Sequence, residues 1–485
     1  MNNKLLTKSK YLIGLQCFKY LWMAVNDKEN IPKPDKATQY MFDQGKLVGE
    51  YAKKLFSKGI DIPKDDFMVN IKQTKELLVK RKPLFEAGFL VEPLYSRADI
   101  LNPAGKYVWD IIEVKSGTQV KDVNIHDVAF QKHCYEKAGL KIGKCYIMHI
   151  NNKYVKKREI NPNGLFIKED ITAEVDEAIE GIQERIKNML NIISSKKCPE
   201  ITINENCKYP YKCQLIEQCW EFLPKNCVFD LYRIGKNAFK LFDDGIVAIK
   251  DIPDDFKLNS LQQIQKQCEK TGRPYIDKKA IQQFLKTLKY PLYYLDFETI
   301  NPAVPLFDGT TPYQQITFQF SLHVDNGKEV KHYDFLADGK EDPRPKLLKK
   351  LKKFLGDNGS IIVYNKVFEE ARLREFAETF PKYKQWIDNV LERVIDLIIP
   401  FRAFQYYSPK QQGSCSIKDV LPALVGKGYD GLEISDGGEA SLSFLDITYG
   451  DAKDKKKVRK ALLEYCCLDT EGMVWMVEKL GVLVK

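Results

Sequence analysis

The sequence predicts an α/β protein made of more than one domain. Three observations carry that expectation. The chain has 485 residues, too many for one ordinary core, so about two to four domains are expected. Its composition is that of a folding chain, 44% hydrophobic, 12% aromatic and 29% charged, not that of a disordered one. Strand-like runs also alternate with helical patterns along most of its length.

Residues 1–225 form the first expected domain. "QYMFDQGKLVGEYAKKLF" reads as a helix. "LYSRADIL", "YVWDIIEVKS" and "KCYIMHI" read as strands, with the helix "DVAFQKHCYEKAGL" between the last two. In "ITAEVDEAIEGIQERIKNMLNII", Val175, Ile179, Ile182, Ile186, Met189 and Ile193 recur at helical spacing, which predicts one long amphipathic helix. Residues 226–285 predict a small helical module. Its stretch "DLYRIGKNAFKLFDDGIVAIKDIPD" reads as a helix, a turn at Gly245 and a second short segment.

Residues 286–485 form the last expected domain. "YYLDFETI", "ITFQFSLHV", "HYDFLA" and "SIIVYN" are strand-like, and helices follow to the end. A basic helix over 344–355 aligns Leu347, Leu348, Leu351 and Phe354 on one face, which leaves its lysines as a solvated face. There is no internal repeat and no low-complexity tract.

No apolar run reaches the roughly 18 residues of a membrane span. Lysines interrupt the N-terminal stretch "MNNKLLTKSKYLIGLQCFKYLWM", which therefore lacks the features of a signal peptide. A cytoplasmic location without membrane contact is expected. The net charge of +10 permits nucleic-acid binding without demanding it. The 12 cysteines are expected as free thiols, mostly buried, although Cys207, Cys213 and Cys219 are evenly spaced.

Asp296 and Glu298 lie two apart on a strand and leave one face of it. Buried carboxylates so placed call for a cation. Asn365 and Glu369 follow at a strand–helix junction in "IIVYNKVFEEARL". "EYCCLDTEGM" puts Tyr465 and Asp469 on one helical face. These motifs, in this order, resemble the DEDD exonucleases of the RNase H-like fold, in the subgroup with a tyrosine in the third motif. "ERVIDLIIPF" and "SIKDVLPAL" are similar to connecting segments of that superfamily. "PYQQITFQFSLHV" and "DPRPKLLKKL" resemble an uncharacterised bacterial family that carries this domain.

The resemblance implies that Asp296, Glu298, Glu369 and Asp469 hold two Mg²⁺ or Mn²⁺ ions about 4 Å apart. One ion would activate the attacking water and the other would stabilise the leaving 3′ oxygen, with Tyr465 orienting the water. Glu369 departs from the pattern, which has aspartate there, and its extra methylene moves the carboxylate by about one bond length. Asp396, after the second motif, is either a nearby acid or a helix cap.

The first domain carries a second set. Glu50 lies on a predicted helix. Asp99 and then Glu113 and Lys115 lie on strands, and Gln131 and Tyr135 lie four apart on a helix. This order resembles the PD-(D/E)XK nucleases of the RecB family. The resemblance implies that Asp99 and Glu113 bind a metal and Glu50 completes its shell. Lys115 would serve the scissile phosphate or the water, and Gln131 and Tyr135 would support the site or touch the nucleic-acid backbone.

Cys17, with Cys207, Cys213 and Cys219, resembles the iron–sulfur nucleases of the same family, the AddB-type helicase-nucleases and a CRISPR-associated exonuclease. Four thiolates suit a [4Fe–4S] cluster or zinc. The resemblance favours the cluster, while the C-x5-C-x5-C spacing is wider than in those relatives. Cys227 is the substitute if Cys219 is not a ligand. The middle module weakly resembles a helix-hairpin-helix, with Gly235 and Lys236 as its phosphate contacts; a packing linker is the alternative.

The expected function is a metal-dependent nuclease acting on DNA, with single-stranded ends as the substrate. It would combine a 3′–5′ exonuclease with a RecB-like site. Two alternatives stay open: an RNA or oligonucleotide exonuclease with the first domain as a clamp, or a non-catalytic nucleic-acid-binding subunit.

Overall fold

The computed structural model describes residues 4–485. The chain divides into two units, one running to Trp220 and including Pro302–Gln314, the other comprising Glu221–Asn301 and Gln315–Lys485. Both mix sheets with helices. The expected module at 226–285 therefore belongs to the second unit, and a segment inside the expected last domain belongs to the first.

In the first unit, strands β1 (Leu6–Thr7), β2 (Ile60–Asp61), β3 (Leu84–Val91), β4 (Leu94–Ala104), β5 (Val108–Lys115), β6 (Lys141–Ile150) and β7 (Phe166–Asp170) form one sheet. Its order is β2-β3-β4-β5-β6-β7, with β1 beside β4. β3, β4 and β5 form an antiparallel meander, and β6 runs parallel to β5. A parallel neighbour requires a crossover, which the sequence supplies as a helix.

The helices used below are α1 (Lys8–Gln16), α2 (Phe18–Asn26), α3 (Lys36–Lys53), α4 (Phe67–Leu78) and the crossover helix α5 (Asp122–Lys137). Alternation along β5 sends Ile111 into the core shared with Val128 and Ala129 of α5. Ile112 goes into the core shared with Val48 and Ala52 of α3 and with Ala303 and Val304. The amphipathic run at 171–193 is two helices, Thr172–Ile179 and Ile182–Ser194, not one. Gly181, at φ 70°, breaks it. The apolar face survives the break, with Val175, Ile182, Ile186, Met189 and Ile193 all buried.

The second unit holds β8 (Tyr275–Ile276), β9 (Leu292–Ile300), β10 (Ile316–Asp325), β11 (Val330–Leu336), β12 (Ser360–Val363), β13 (Val394–Asp396) and β14 (Tyr406–Tyr407). Its main sheet has the order β11-β10-β9-β12-β13. β9 pairs antiparallel with β10 and parallel with β12. Tyr293, Leu295 and Phe297 pack on one face against Leu347, Leu348 and Leu351 of the basic helix. Tyr294 packs on the other with Met473, Met476 and Leu480 of the C-terminal helix Lys455–Val484.

Val228, Leu231, Leu241 and Ile249 form a small cluster in the same unit. There the helix Asn237–Asp243 is followed by a single 3-10 turn at Ile249–Asp251, so the second helix of a helix-hairpin-helix is not formed. Among the described residues, no helix is long and apolar enough to cross a membrane.

Candidate functional site

β9 presents Asp296 and Glu298 on the face that packs against the C-terminal helix, and that helix carries Tyr465 and Asp469. Glu369 stands in the first turn of the helix Lys366–Thr379. Asp396 fixes this helix start. Its carboxylate accepts from the backbone N–H groups of Asn365 at 3.0 Å, Lys366 at 3.1 Å and Ile398 at 3.1 Å. Of the two readings for Asp396, the structure thus assigns it the cap. Asn365 adopts φ 82° at the junction, a conformation asparagine tolerates.

The four expected acids converge. Glu298, Glu369 and Asp469 are buried, and Asp296 is half-buried. Ligand atoms of Asp296, Glu298 and Cys466 lie within 4.8 Å of one another. The Cys466 thiol donates to Asp296 Oδ2 at 3.5 Å. Tyr429 and Tyr465 both direct their hydroxyls at Asp469. Glu369 Oε2 is buried without a hydrogen-bond partner.

Burial pushes the Asp296, Glu298 and Glu369 carboxyls far above the usual carboxylate range, and each is raised further by its acidic neighbours. The one ammonium in the electrostatics of this group is Lys418, which acts on Glu298 and Asp469 and lies 5.6 Å over the Tyr465 ring. Arg372 also acts on Glu369, although it is paired with Glu375 at 2.5 Å. Four carboxylates against one lysine and that paired arginine, with an orphaned buried oxygen among them, fit the hard oxygen donor set of Mg²⁺ or Mn²⁺.

Burial also pushes Asp469 up to about 6, against the pull of the Tyr429 hydroxyl and Lys418. Its ordinary value is 3.8, so the folded chain holds this proton more tightly than the unfolded one. The contribution of this group to stability is then fully present below pH 3.8 and is lost as pH rises through about 6, by on the order of 3 kcal/mol. The ion-free second unit should therefore melt higher at pH 5 than at pH 7. Saturating Mn²⁺ should reverse that order, because the ligands must be deprotonated. Circular-dichroism melts at both pH values decide it, and a flat ion-free response would mean the acids are not packed together.

Glu369 also sets a length test. Shortening it to aspartate withdraws the carboxylate by about one bond length. Glu369→Asp is expected to weaken Mn²⁺ binding, and an unchanged affinity by calorimetry would show that the helix has room to adjust.

In the first unit, Glu113 on β5 is buried. Its Oε1 accepts from Lys115 Nζ at 2.8 Å and from Lys8 Nζ at 2.7 Å, and its Oε2 from Gln131 at 2.8 Å. Asp127 completes the cluster, accepting from Lys115 at 2.6 Å and Gln131 at 3.0 Å, with Lys8 3.5 Å away. Asp99 Oδ2 accepts the Val114 N–H at 2.8 Å. Burial, then the Glu113 carboxylate, push Asp99 up to about 7. Burial alone would raise Glu113, but Lys115 and Lys8 hold it well below the usual range. Asp99 and Glu113, the two acids expected to hold an ion, thus lie together, with two ammonium groups on Glu113.

One expected site residue lies away from this cluster, and another only supports it. Glu50 lies on the face of α3 opposite the buried Val48 and Ala52; its side chain is 65% exposed and pairs with Lys53 at 2.9 Å. It does not complete a metal shell. Tyr135 is wholly buried, lies tilted against Phe89 with ring centroids 4.6 Å apart and donates to the Ala87 carbonyl at 3.0 Å. It braces β3 within the field of Glu113, so of its two expected roles it keeps support of the site and not contact with nucleic acid.

Cys17 caps the junction of α1 and α2 and lines one cavity with Cys207, Cys213 and Cys219. Gln16 donates to the carbonyls of Asn206 at 2.8 Å and Tyr211 at 2.6 Å, strapping the cysteine loop to α1. All 12 cysteines are free thiols. Burial raises Cys17 and pushes Cys213 up to about 11, while backbone N–H groups of Lys19 and Tyr20 favour a thiolate at Cys17 and that of Leu215 one at Cys213. Four convergent sulfurs with such donors fit a thiolate-bound centre. Cys227 is not part of it. It lies in the second unit, where its thiol donates to Asp230 at 3.4 Å.

A family model described as a domain of unknown function, DUF2779, matches residues 293–416. The matched span contains Asp296, Glu298 and Glu369 and ends before Tyr465 and Asp469. The chain is 26% identical over 273 residues to the uncharacterized protein UU173 of Ureaplasma parvum, covering 53% of this chain and 39% of that protein. It is 30% identical over 221 residues to the uncharacterized MG366 homolog of Mycoplasma pneumoniae, covering 40% of this chain and 32% of that protein. The chain thus spans well under two thirds of the curated relatives it matches.

The sequence reading missed Lys418, Tyr429 and Cys466 in one site and Lys8 and Asp127 in the other. Cys466 follows Tyr465 directly, and Asp127 stands one helical turn before Gln131, so both carried a local signal. Lys8 and Tyr429 carried none. Cys198 is a further cysteine beside Cys17 and Cys219.

Proposed function

We propose that this chain is a metal-dependent nuclease hydrolysing phosphodiester bonds of DNA. In this reading the second unit is a DEDD-type 3′–5′ exonuclease of RNase H-like fold, and the first is a RecB-like PD-(D/E)XK nuclease domain. One observation carries it: the half-buried Asp296 and the buried Glu298, Glu369 and Asp469, from three separate elements, are packed together with Lys418 and Arg372 as the cations acting on them. An acid-bearing strand flanked by an antiparallel neighbour on one side and a parallel one on the other suits the RNase H-like reading.

The four acids would hold Mg²⁺ or Mn²⁺, which supplies an activated water and charge stabilisation at the phosphate. Tyr465 is kept protonated, because burial and then the Asp469 and Glu298 carboxylates raise its pKa. It can donate a hydrogen bond that positions the water and does not act as the base. Lys418 offsets part of the acid charge. In the first unit, Asp99 and Glu113 would hold the ion and Lys115 would face the phosphate. The natural substrate in this reading is DNA with single-stranded ends, and the setting is the cytoplasm.

Cys17, Cys207, Cys213 and Cys219 would hold a [4Fe–4S] cluster, with zinc as the lesser possibility. Anaerobically purified protein is expected to be brown and to carry iron and acid-labile sulfide, and Cys17→Ser or Cys213→Ser to lose both. Colourless protein containing zinc overturns the cluster.

A second reading rests on the charge balance of the first unit. There Lys8 and Lys115 already pair with Glu113 and Asp127, so that unit also suits a clamp that binds nucleic acid, RNA included, for the second. End-labelled single- and double-stranded DNA and RNA, incubated with Mn²⁺ and wild-type, Asp296→Ala or Glu113→Ala protein, separate the readings. Degradation of no substrate by the wild type leaves only a non-catalytic binding role.

A further inference from the structure

The balanced cluster in the first unit poses a chemical problem for a nuclease. Glu113 Oε1 already accepts two ammonium groups, Lys8 at 2.7 Å and Lys115 at 2.8 Å, and Oε2 accepts Gln131 at 2.8 Å. A carboxylate has about four lone-pair positions, and a divalent ion on Oε1 would sit against two like charges. An ion bound there would displace one ammonium.

The geometry identifies which. Lys115 is held by two short bonds, 2.8 Å to Glu113 and 2.6 Å to Asp127. Lys8 has one short bond, and its second contact, to Asp127, is 3.5 Å. Lys8 stands at the first position of α1, N-capped by Thr7. It reaches into the cluster on a flexible four-carbon stem. The far end of α1 is fixed, with Cys17 at its C-cap and Gln16 bonded to the cysteine loop. The base of Lys8 is therefore anchored, and its tip is held by one short bond.

We propose that Lys8 is an exchangeable third cation of the first unit's site. It occupies Glu113 in the ion-free protein. In the loaded enzyme it releases Glu113 to the ion and turns its ammonium to the substrate phosphate. This rests on the nuclease reading of the first unit and adds a substrate-contacting residue to it. No covalent bond changes in the exchange; one ion-paired ammonium moves from carboxylate to phosphodiester.

The test uses the intact chain, purified anaerobically, freed of divalent ions by gel filtration, and carrying Asp296→Ala to silence the second unit. Lys8→Met removes the competing charge, so Mn²⁺ should bind roughly tenfold tighter, while cleavage of single-stranded DNA at saturating Mn²⁺ should fall roughly 10²-fold. Lys8→Arg keeps the charge and guards against a folding failure. Its planar fork can hold Glu113 by two bonds, so Mn²⁺ should bind more weakly than in the Lys8 protein. Calorimetry should rank the affinities Met, Lys, Arg. Any other order, or unchanged cleavage by Lys8→Met, overturns the proposal. If Glu113→Gln changes neither Mn²⁺ uptake nor cleavage, the nuclease reading of this unit falls first, and the role of Lys8 with it.

Discussion

Asp296→Asn is expected to remove 3′–5′ exonuclease activity, by on the order of 10³-fold or more, and at the same time to raise the melting temperature of the ion-free protein. The activity loss follows from deleting one ligand of a site whose ions supply several kcal/mol of charge stabilisation. The stability gain follows from the packing. Asp296 lies against Asp469, Glu298 and Glu369, and ionised acids so close together oppose folding. Asparagine keeps the shape, and its carbonyl can still accept from Cys466, which is 3.5 Å from Asp296 Oδ2. Each kcal/mol gained raises the midpoint by about 2–4 °C in a domain of this size. Adding Mn²⁺ should then stabilise the wild type far more than the variant. Activity loss with a lower ion-free midpoint would instead mark Asp296 as an ordinary structural residue.

Asp127→Ala is expected to produce the largest loss of stability. Asp127 is 2% exposed and joins Lys115 at 2.6 Å, Gln131 at 3.0 Å and Lys8 at 3.5 Å. Removing it leaves two ammonium groups on one remaining bonded carboxylate in a buried setting. Breaking a buried pair from one side costs about 3–5 kcal/mol. Removing the lysine as well, in Asp127→Ala with Lys115→Met, should recover part of that, since no unpaired charge is then left. Denaturant unfolding of the two variants gives the comparison. A single variant that costs less than about 1 kcal/mol would show that the cluster is hydrated and its pairs are worth no more than surface ones.

The strand carrying Asp296 and Glu298 was legible because alternation along one strand is a local property; the face of each side chain follows from its position. Tyr465 and Asp469 were legible for the same reason on a helix. Glu50 was misplaced because α3 has two faces and the motif order does not state which one turns inward. Val48 and Ala52 occupy the inner face, which sends Glu50 out. Tyr135 stands one turn beyond Gln131 on the same stripe, where its hydroxyl is spent on β3 while Glu113 still acts on it electrostatically. The run at 171–193 kept its apolar spacing across Gly181, so periodicity alone hid the break. Lys8, Lys418 and Tyr429 reach their sites through chain reversals that no short window contains.

The residues Pro302–Gln314 follow β9 in the chain yet belong to the first unit. There Ala303 and Val304 are buried beside Val48, Ala52 and Phe85. The Ala303 N–H donates to Gln44 at 3.0 Å, the Tyr313 hydroxyl donates to the Ser116 carbonyl, and Asp308 pairs with Lys156 at 2.6 Å. A protein cut after Trp220 would therefore lack part of its own core and would expose the apolar residues that this segment covers. The two halves are interleaved in sequence and are not a pair of beads that proteolysis or gene dissection could separate intact. Single substitutions, and not truncations, are the means by which either unit can be studied alone.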